Sequence, residues 1–197
     1  TDGIGDRAAE LHHGIWPDEA MWINAVRLTD GQLVVFGRDR TDISVAAATE
    51  ASSAIPGYFR PVLIDGDRYV DGGIHSPTNA DLLLDRDLDL IVLAAPMSVD
   101  SYSRGWMTMN GPLRVLWRNK VQREISALRD RGHKVLVLEP SIEEARSMGP
   151  TMMDPTRIVN IVLQTSSAAR AAITEDKLGP ELEILRRAAS SGSASAG

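Results

Sequence analysis

The chain contains no cysteine, few aromatic residues and no long apolar run. The absence of cysteine from its 197 residues excludes a disulfide scaffold, thiol catalysis and a cysteine-built metal site. No apolar stretch approaches the roughly 20 residues that a membrane-spanning helix needs. A net charge of -6 argues against a general affinity for nucleic acid or anionic membrane. The remaining composition, 43% hydrophobic and 24% charged, is typical of a globular protein, which we expect in the cytoplasm.

Two β-hairpins are predicted in the first half of the sequence. Their strands are expected at residues 21–28, 32–37, 61–64 and 67–70. Thr29-Asp30-Gly31 joins the first pair and Asp65-Gly66 the second, and Asp-Gly is a favoured pair for tight turns because glycine tolerates positive φ. Residues 1–20 are expected to be loop-like or weakly helical.

A helix of small residues is predicted between the hairpins, over residues 44–55. Asp42 or Ser44 can cap its N terminus, and it has to end near residue 55 because a residue before proline is held out of the α region. Ser52 and Ser53 are candidate nucleophiles within it. Their small size favours the alternative, a helix that packs closely on the sheet.

The second half of the sequence alternates strands with helices. Apolar runs at 89–95 and 134–138 predict strands buried on both faces, as in a parallel sheet, and residues 78–84 predict a short helix. Longer helices are expected at 111–131, from Asp154-Pro155 to about residue 175, and at 180–189, followed by a disordered tail at 190–197. This alternation predicts an α/β layered fold with a mixed sheet.

The helix over 111–131 carries basic side chains on its polar positions. These are Arg114, Arg118, Lys120, Arg123, Arg129 and Arg131, accompanied by Glu124 and Asp130. They can contact anionic lipid headgroups. A plain solvated face is the favoured interpretation.

Asp71 is the residue whose position most clearly suggests a role in chemistry. It ends the fourth predicted strand and precedes Gly72 and Gly73. Ligands in α/β sheets collect at the carboxyl ends of strands, and glycines leave a neighbouring carboxylate uncrowded. An aspartate held there can activate a hydroxyl nucleophile. The plain alternative is an aspartate that makes a turn and caps local N–H groups.

A longer motif surrounds this aspartate. Residues 51–62 are Ala-Ser-Ser-Ala-Ile-Pro-Gly-Tyr-Phe-Arg-Pro-Val, and Asp71-Gly72-Gly73 follows after one hairpin with Asn79 nearby. Over residues 21–95 this combination resembles the patatin-like phospholipase family. Enzymes of that family use a Ser–Asp dyad without histidine, with the aspartate in an Asp-Gly-Gly or Asp-Gly-Ala motif. The resemblance implies that Asp71 is the dyad base, that the fold is a three-layer α/β/α arrangement with a mixed, largely parallel sheet, and that no cofactor or metal is needed.

The sequence departs from the family in one important respect. The family's nucleophile lies in a Gly-x-Ser-x-Gly elbow and its oxyanion hole in a glycine-rich loop, and neither motif occurs in these residues. The tract Gly192-Ser193-Ala194-Ser195 lacks the strand-turn-helix context of an elbow. Both motifs precede the aspartate in the family order. We therefore expect residues 1–189 to be the C-terminal portion of a patatin-like domain, incomplete at the N-terminus and inactive until an upstream serine-bearing segment or chain completes it.

The expected partners follow from the same resemblance. They are the upstream serine-bearing segment and a lipid or acyl-ester substrate, with peripheral membrane contact and no nucleic acid. The rival interpretation is a non-catalytic lipid-binding or regulatory module that keeps the fold. The two differ in whether the upstream sequence carries a Gly-x-Ser-x-Gly motif.

Several other residues are weaker candidates. His75 suggests a triad, although the family needs no histidine; His12-His13 and His133 lack the partners of a metal site. Thr1 can be an N-terminal nucleophile, but the sequence after it does not resemble a buried strand. Methionines, which adapt to flexible apolar shapes, suggest an acyl-chain groove, with ordinary loop packing as the alternative. The groove residues are Met97, Trp106, Met107, Met109, Met148, Met152 and Met153.

Overall fold

The computed structural model describes residues 3–12, 15–96, 98, 111–141, 159, 162–163, 165–167, 170 and 179–194. The chain divides into two compact units, Thr1–Asn79 and Ala80–Gly197. Each unit combines helices with β-strands, one around an antiparallel sheet and the other around a parallel pair. The predicted α/β class is confirmed.

The first unit contains two α-helices, a 3₁₀ helix (Gly72–Ile74) that Asp71 caps, and a four-stranded antiparallel sheet. Its elements are α1 (Ile4–His12), β1 (Ile23–Arg27), β2 (Leu33–Phe36), α2 (Val45–Ser52), β3 (Val62–Ile64) and β4 (Asp67–Asp71). The strand order is β2-β1-β4-β3, so both predicted hairpins form and β1 pairs with β4 between them. In that central pairing Ala25 lies opposite Asp71. A regular helix, α1, replaces the loop or weak helix expected before residue 20.

The hairpin turns form for the reason that the sequence predicts. Asp65 and Gly66 have φ values of 50° and 88°, which is the left-handed backbone that a two-residue hairpin turn requires. Gly31 has a φ of 72° in the other turn. Glycine accepts this conformation without steric cost, and asparagine and aspartate tolerate it better than other residues.

Helix α2 packs on the sheet through alanines. The Ser44 side chain accepts a hydrogen bond from the backbone N–H of Ala47 at 3.1 Å and caps the helix. Ala48 and Ala51 have no exposed surface and lie in one core with Phe36 and Tyr69 of the sheet. Small side chains let the helix backbone approach the sheet closely, so the predicted packing role of this segment is confirmed.

The second unit is built around two parallel strands. Its described elements are a 3₁₀ helix (Ala80–Leu83), β5 (Ile91–Ala94), α3 (Gly111–Asp130), β6 (Val135–Leu138) and α4 (Glu181–Ala194). Ile91 lies opposite Val135 in the parallel register. Val121, Ile125 and Leu128 of α3 pack on this pair. The described positions between 159 and 170 are also helical.

Four expectations for the second unit need correction. Val92 and Leu138 are 47% and 41% exposed, so the parallel pair is not buried on both faces. The short helix after residue 79 is 3₁₀, and α4 continues to Ala194, beyond the predicted end at residue 189. Glu124 is not on a solvated face: it is 4% exposed, and its carboxylate accepts a hydrogen bond from the Ala80 N–H at 3.2 Å. Hydrophobic periodicity cannot reveal such a bond, because an acidic residue on a helix is ordinarily predicted to be exposed.

Among the residues that the structure describes, no helix has both the length and the apolar character needed to cross a bilayer.

Candidate active site

The backbone of Asp71 is held by two neighbouring elements. Asp71 is the last residue of β4, and its pairing with Ala25 fixes it to β1. Its N–H donates a hydrogen bond of 3.1 Å to the carbonyl oxygen of Ala54, which lies just beyond α2. The sheet is antiparallel here, so the rule for the carboxyl ends of parallel strands does not explain this position. The end of α2 and the neighbouring strand place Asp71 instead.

The carboxylate of Asp71 is half-buried and has one local hydrogen bond. Oδ1 accepts from the Gly73 N–H at 2.7 Å. Burial raises the pKa of the Asp71 carboxyl above its ordinary value, because the charged form loses solvation, and the Gly73 N–H opposes that shift. Among the described residues no cation pairs with Asp71 and no group donates to Oδ2. One oxygen is therefore oriented by the backbone while the other is open to a further donor.

The two glycines of the motif provide space rather than an unusual backbone conformation, since neither has a positive φ. A Cβ on Gly72 would lie 2.8 Å from the carbonyl carbon of Asn24 and closer still to its oxygen. A Cβ on Gly73 would lie 3.0 Å from Oδ1 of Asp71. Gly72 lets the chain pass β1, and Gly73 leaves the carboxylate uncrowded, as the sequence predicts.

The loop after Gly72 is held together by its own polar groups. The Gly72 carbonyl oxygen accepts from the N–H groups of His75 at 3.0 Å and Ser76 at 3.3 Å, and from Nδ2 of Asn79 at 3.4 Å. Asn79 is 7% exposed, has a φ of 48° and donates a second hydrogen bond of 2.8 Å to the Ser76 carbonyl oxygen. The sequence identified Asn79 only as a neighbour of the motif. Its tolerance of left-handed backbone was the available signal.

The other candidates do not converge on Asp71. His75 is exposed, and no hydrogen bond joins it to Asp71. Ser52 and Ser53 end α2 without a side-chain bond to that carboxylate. His12 ends α1, and the ring of His133 lies 3.0 Å from the Leu84 carbonyl oxygen.

Some predicted residues lie outside the described part of the chain. They are Thr1, His13 and all the groove residues, Met97, Trp106, Met107, Met109, Met148, Met152 and Met153. Within the described residues, no three histidine or acidic side chains converge as a metal site would require.

The fold and the carboxylate together define an α/β protein with a candidate acid–base site. Residues 22–84 match the family model of the patatin-like phospholipases. The matched segment contains both hairpins, α2 and Asp71-Gly72-Gly73, so the family resemblance inferred from the motif is confirmed, and the family is one of lipid hydrolases. No curated protein matches the chain.

Proposed function

We propose that Asp71 is the base of a Ser–Asp dyad in a patatin-like acyl-ester hydrolase. The observation that carries this proposal is the state of its carboxylate, which is half-buried, has no cationic partner among the described residues and is oriented through Oδ1 by the Gly73 N–H. Structural aspartates at the surface are ordinarily paired or solvated. A carboxylate in this state is suited to accept a proton.

The proposed reaction uses that proton acceptor twice. A serine hydroxyl transfers its proton to Asp71 as its oxygen forms a bond to the ester carbonyl carbon. The leaving alkoxide takes the proton as the acyl-enzyme forms. Water then attacks the acyl-enzyme and gives a proton to Asp71, which passes it to the serine oxygen as the bond to the acyl group breaks and the fatty acid is released. Burial favours this role, because a raised pKa makes the ionised carboxylate a stronger base.

The serine belongs to an upstream segment or chain in this proposal. The family resemblance implies a Gly-x-Ser-x-Gly elbow, and the 197 residues contain none. The chain is then inactive until the elbow is supplied, since a nucleophile and its base act as a unit. The proposal places the complete protein in the cytoplasm, in peripheral contact with lipid.

An esterase assay of the protein completed by the serine-bearing segment tests this proposal. Asp71→Asn keeps the size of the side chain and removes its basicity, so kcat is expected to fall by about 10²- to 10⁴-fold. Asp65→Asn is the matched control, because Asp65 lies in an exposed hairpin turn with the same Asp-Gly sequence. Its activity is expected to match that of the unaltered protein.

Two results would decide against the proposal. Near-normal turnover by Asp71→Asn would remove Asp71 from the mechanism. A completed protein that binds acyl-ester vesicles without hydrolysing them would favour the regulatory or lipid-binding module.

A further inference from the structure

One peptide group links Asp71 to Asn79. The Gly73 N–H that donates to Asp71 and the Gly72 carbonyl that accepts from Asn79 belong to the same amide, between Gly72 and Gly73. A peptide group is planar, so its N–H and C=O ends turn together. Whatever fixes the carbonyl end therefore fixes the hydrogen bond to the carboxylate.

The residues on either side of this peptide group place little restriction on it. It lies between two glycines, which restrict backbone rotation less than any other residue. The His75 and Ser76 N–H groups that reach the Gly72 carbonyl are backbone groups three and four residues further along the chain. Asn79 adds a side-chain donor from the far end of the loop.

The orientation of the Asn79 amide is determined by its neighbours. Its Nδ2 faces two carbonyl oxygens, those of Gly72 and Ser76. Carbonyl oxygens only accept hydrogen bonds, so the amide has to present its NH₂ group to them. Asn79 is also 7% exposed, which leaves little water to replace the amide as a donor.

We infer that Asn79 is a positioning residue for Asp71, acting by holding the Gly72–Gly73 peptide group so that its N–H points at Oδ1. The inference rests on the proposed function for its catalytic meaning, but the bond itself can be measured without turnover. It assigns Asn79 no contact with substrate.

NMR titration of the 197-residue chain tests the inference. Asn79→Gly removes both side-chain donors, adds no charge and accepts the φ of 48° without strain. The Asp71 carboxyl carbon is expected to titrate at a higher pKa than in the unaltered chain, because a carboxylate that loses an N–H donor is less stabilised. The Gly73 amide proton is expected to stop following the titration of Asp71.

The structure offers a matched control. Asp65 and Asn79 are the two non-glycine residues with positive φ in the described part of the chain. Asp65→Gly makes the same backbone change in an exposed turn, and neither the Asp71 titration nor the Gly73 resonance should change. If Asn79→Gly does not fold, Asn79→Ala removes the same side-chain donors without adding a charge and should give the same loss at Gly73.

The outcomes separate this inference from the proposed function. In the completed protein, Asn79→Gly should lower kcat by about 10-fold with little change in KM, as expected for a misplaced base. An unaltered Gly73 response in a folded Asn79 variant would overturn the positioning role, whatever the activity. A completed wild-type protein without esterase activity would refute the proposed function and leave the Gly73 measurement standing.

Discussion

The same dipeptide, Asp-Gly, has two different physical roles in the first unit. In the hairpin turns, Gly31 and Gly66 have φ values of 72° and 88°, and a Cβ on either would meet no atom within 4 Å. At the candidate site, Gly72 has an ordinary backbone conformation, but a Cβ there would collide with Asn24. The turns need glycine for its conformation and the site needs it for its size. Sequence identity at the level of a dipeptide therefore does not identify what the residue does.

The aspartates differ in the same way. Hydrogen bonds from the Arg27 guanidinium lower the pKa of the exposed Asp30 carboxyl. Burial raises the pKa of the Asp71 carboxyl, which has no such partner among the described residues. The Asp30 carboxylate pairs with an arginine in a turn, while the Asp71 carboxylate is half-buried without a cationic partner among the described residues.

The largest expected difference in stability is between alanine substitutions at Gly72, in the candidate site, and at Gly66, in a hairpin turn. Gly72→Ala forces a methyl group against the backbone of β1, which cannot move aside as a flexible side chain can. We expect a loss of about 3 kcal/mol in the free energy of unfolding, the upper range for overpacking. Gly66→Ala meets open space and incurs only the left-handed backbone cost of about 1 kcal/mol. Urea denaturation of both variants measures the difference.

The opposite order of stability losses would contradict this comparison of the two glycines. If Gly66→Ala were the more damaging change, the close approach of Gly72 to Asn24 would not be a constraint on this fold. A loss at Gly72 with an unchanged m-value would show that the effect lies in stability rather than in a looser folded state.

Local chemistry explains why much of the first unit was predictable from sequence. The Asp65-Gly66 turn and the cap at Ser44 each depend on residues that are adjacent in the chain. Asp71 was located at a strand end by the same kind of signal. The predicted end of the helix near residue 55 was wrong, because α2 ends at Ser52, before the restriction that Pro56 imposes. The motif around Asp71 was recognised by its resemblance to a family, and the family model matches residues 22–84.

These local rules cannot predict contacts between residues that are distant in the chain. The crowding of Gly72 by Asn24 exists only because β1 pairs with β4 in one particular register, and register depends on the assembled sheet. Glu124 is buried with its carboxylate bonded to the N–H of Ala80, which lies 44 residues away in the sequence. Val92 was expected to be buried because an apolar run cannot show which face of a strand another layer covers.

The smallest expected change in stability comes from replacing Asp71 or Asp30 with asparagine. The direction of that change is what distinguishes the two aspartates. Asp71 has a raised pKa in the folded state, so its contribution to stability is fully present below the unfolded pKa and is lost as pH rises through the folded pKa. Asp71→Asn should therefore stabilise the protein at pH 7 and have little effect near pH 3, about where the carboxyl is protonated in both states. Thermal unfolding at both pH values measures this.

Asp30→Asn should behave in the opposite way. The pKa of Asp30 is lowered, so its contribution is present above the unfolded pKa and is lost as pH falls through the folded pKa. Replacing it should lower the Tm at pH 7, and this loss should shrink as pH falls through the folded pKa. If both variants shifted the Tm in the same direction at pH 7, Asp71 would be another solvated turn aspartate, and its role as a proton acceptor would lose its physical basis. Opposite shifts would show that the fold tolerates an unfavourable charge at the position where the proposed chemistry requires one.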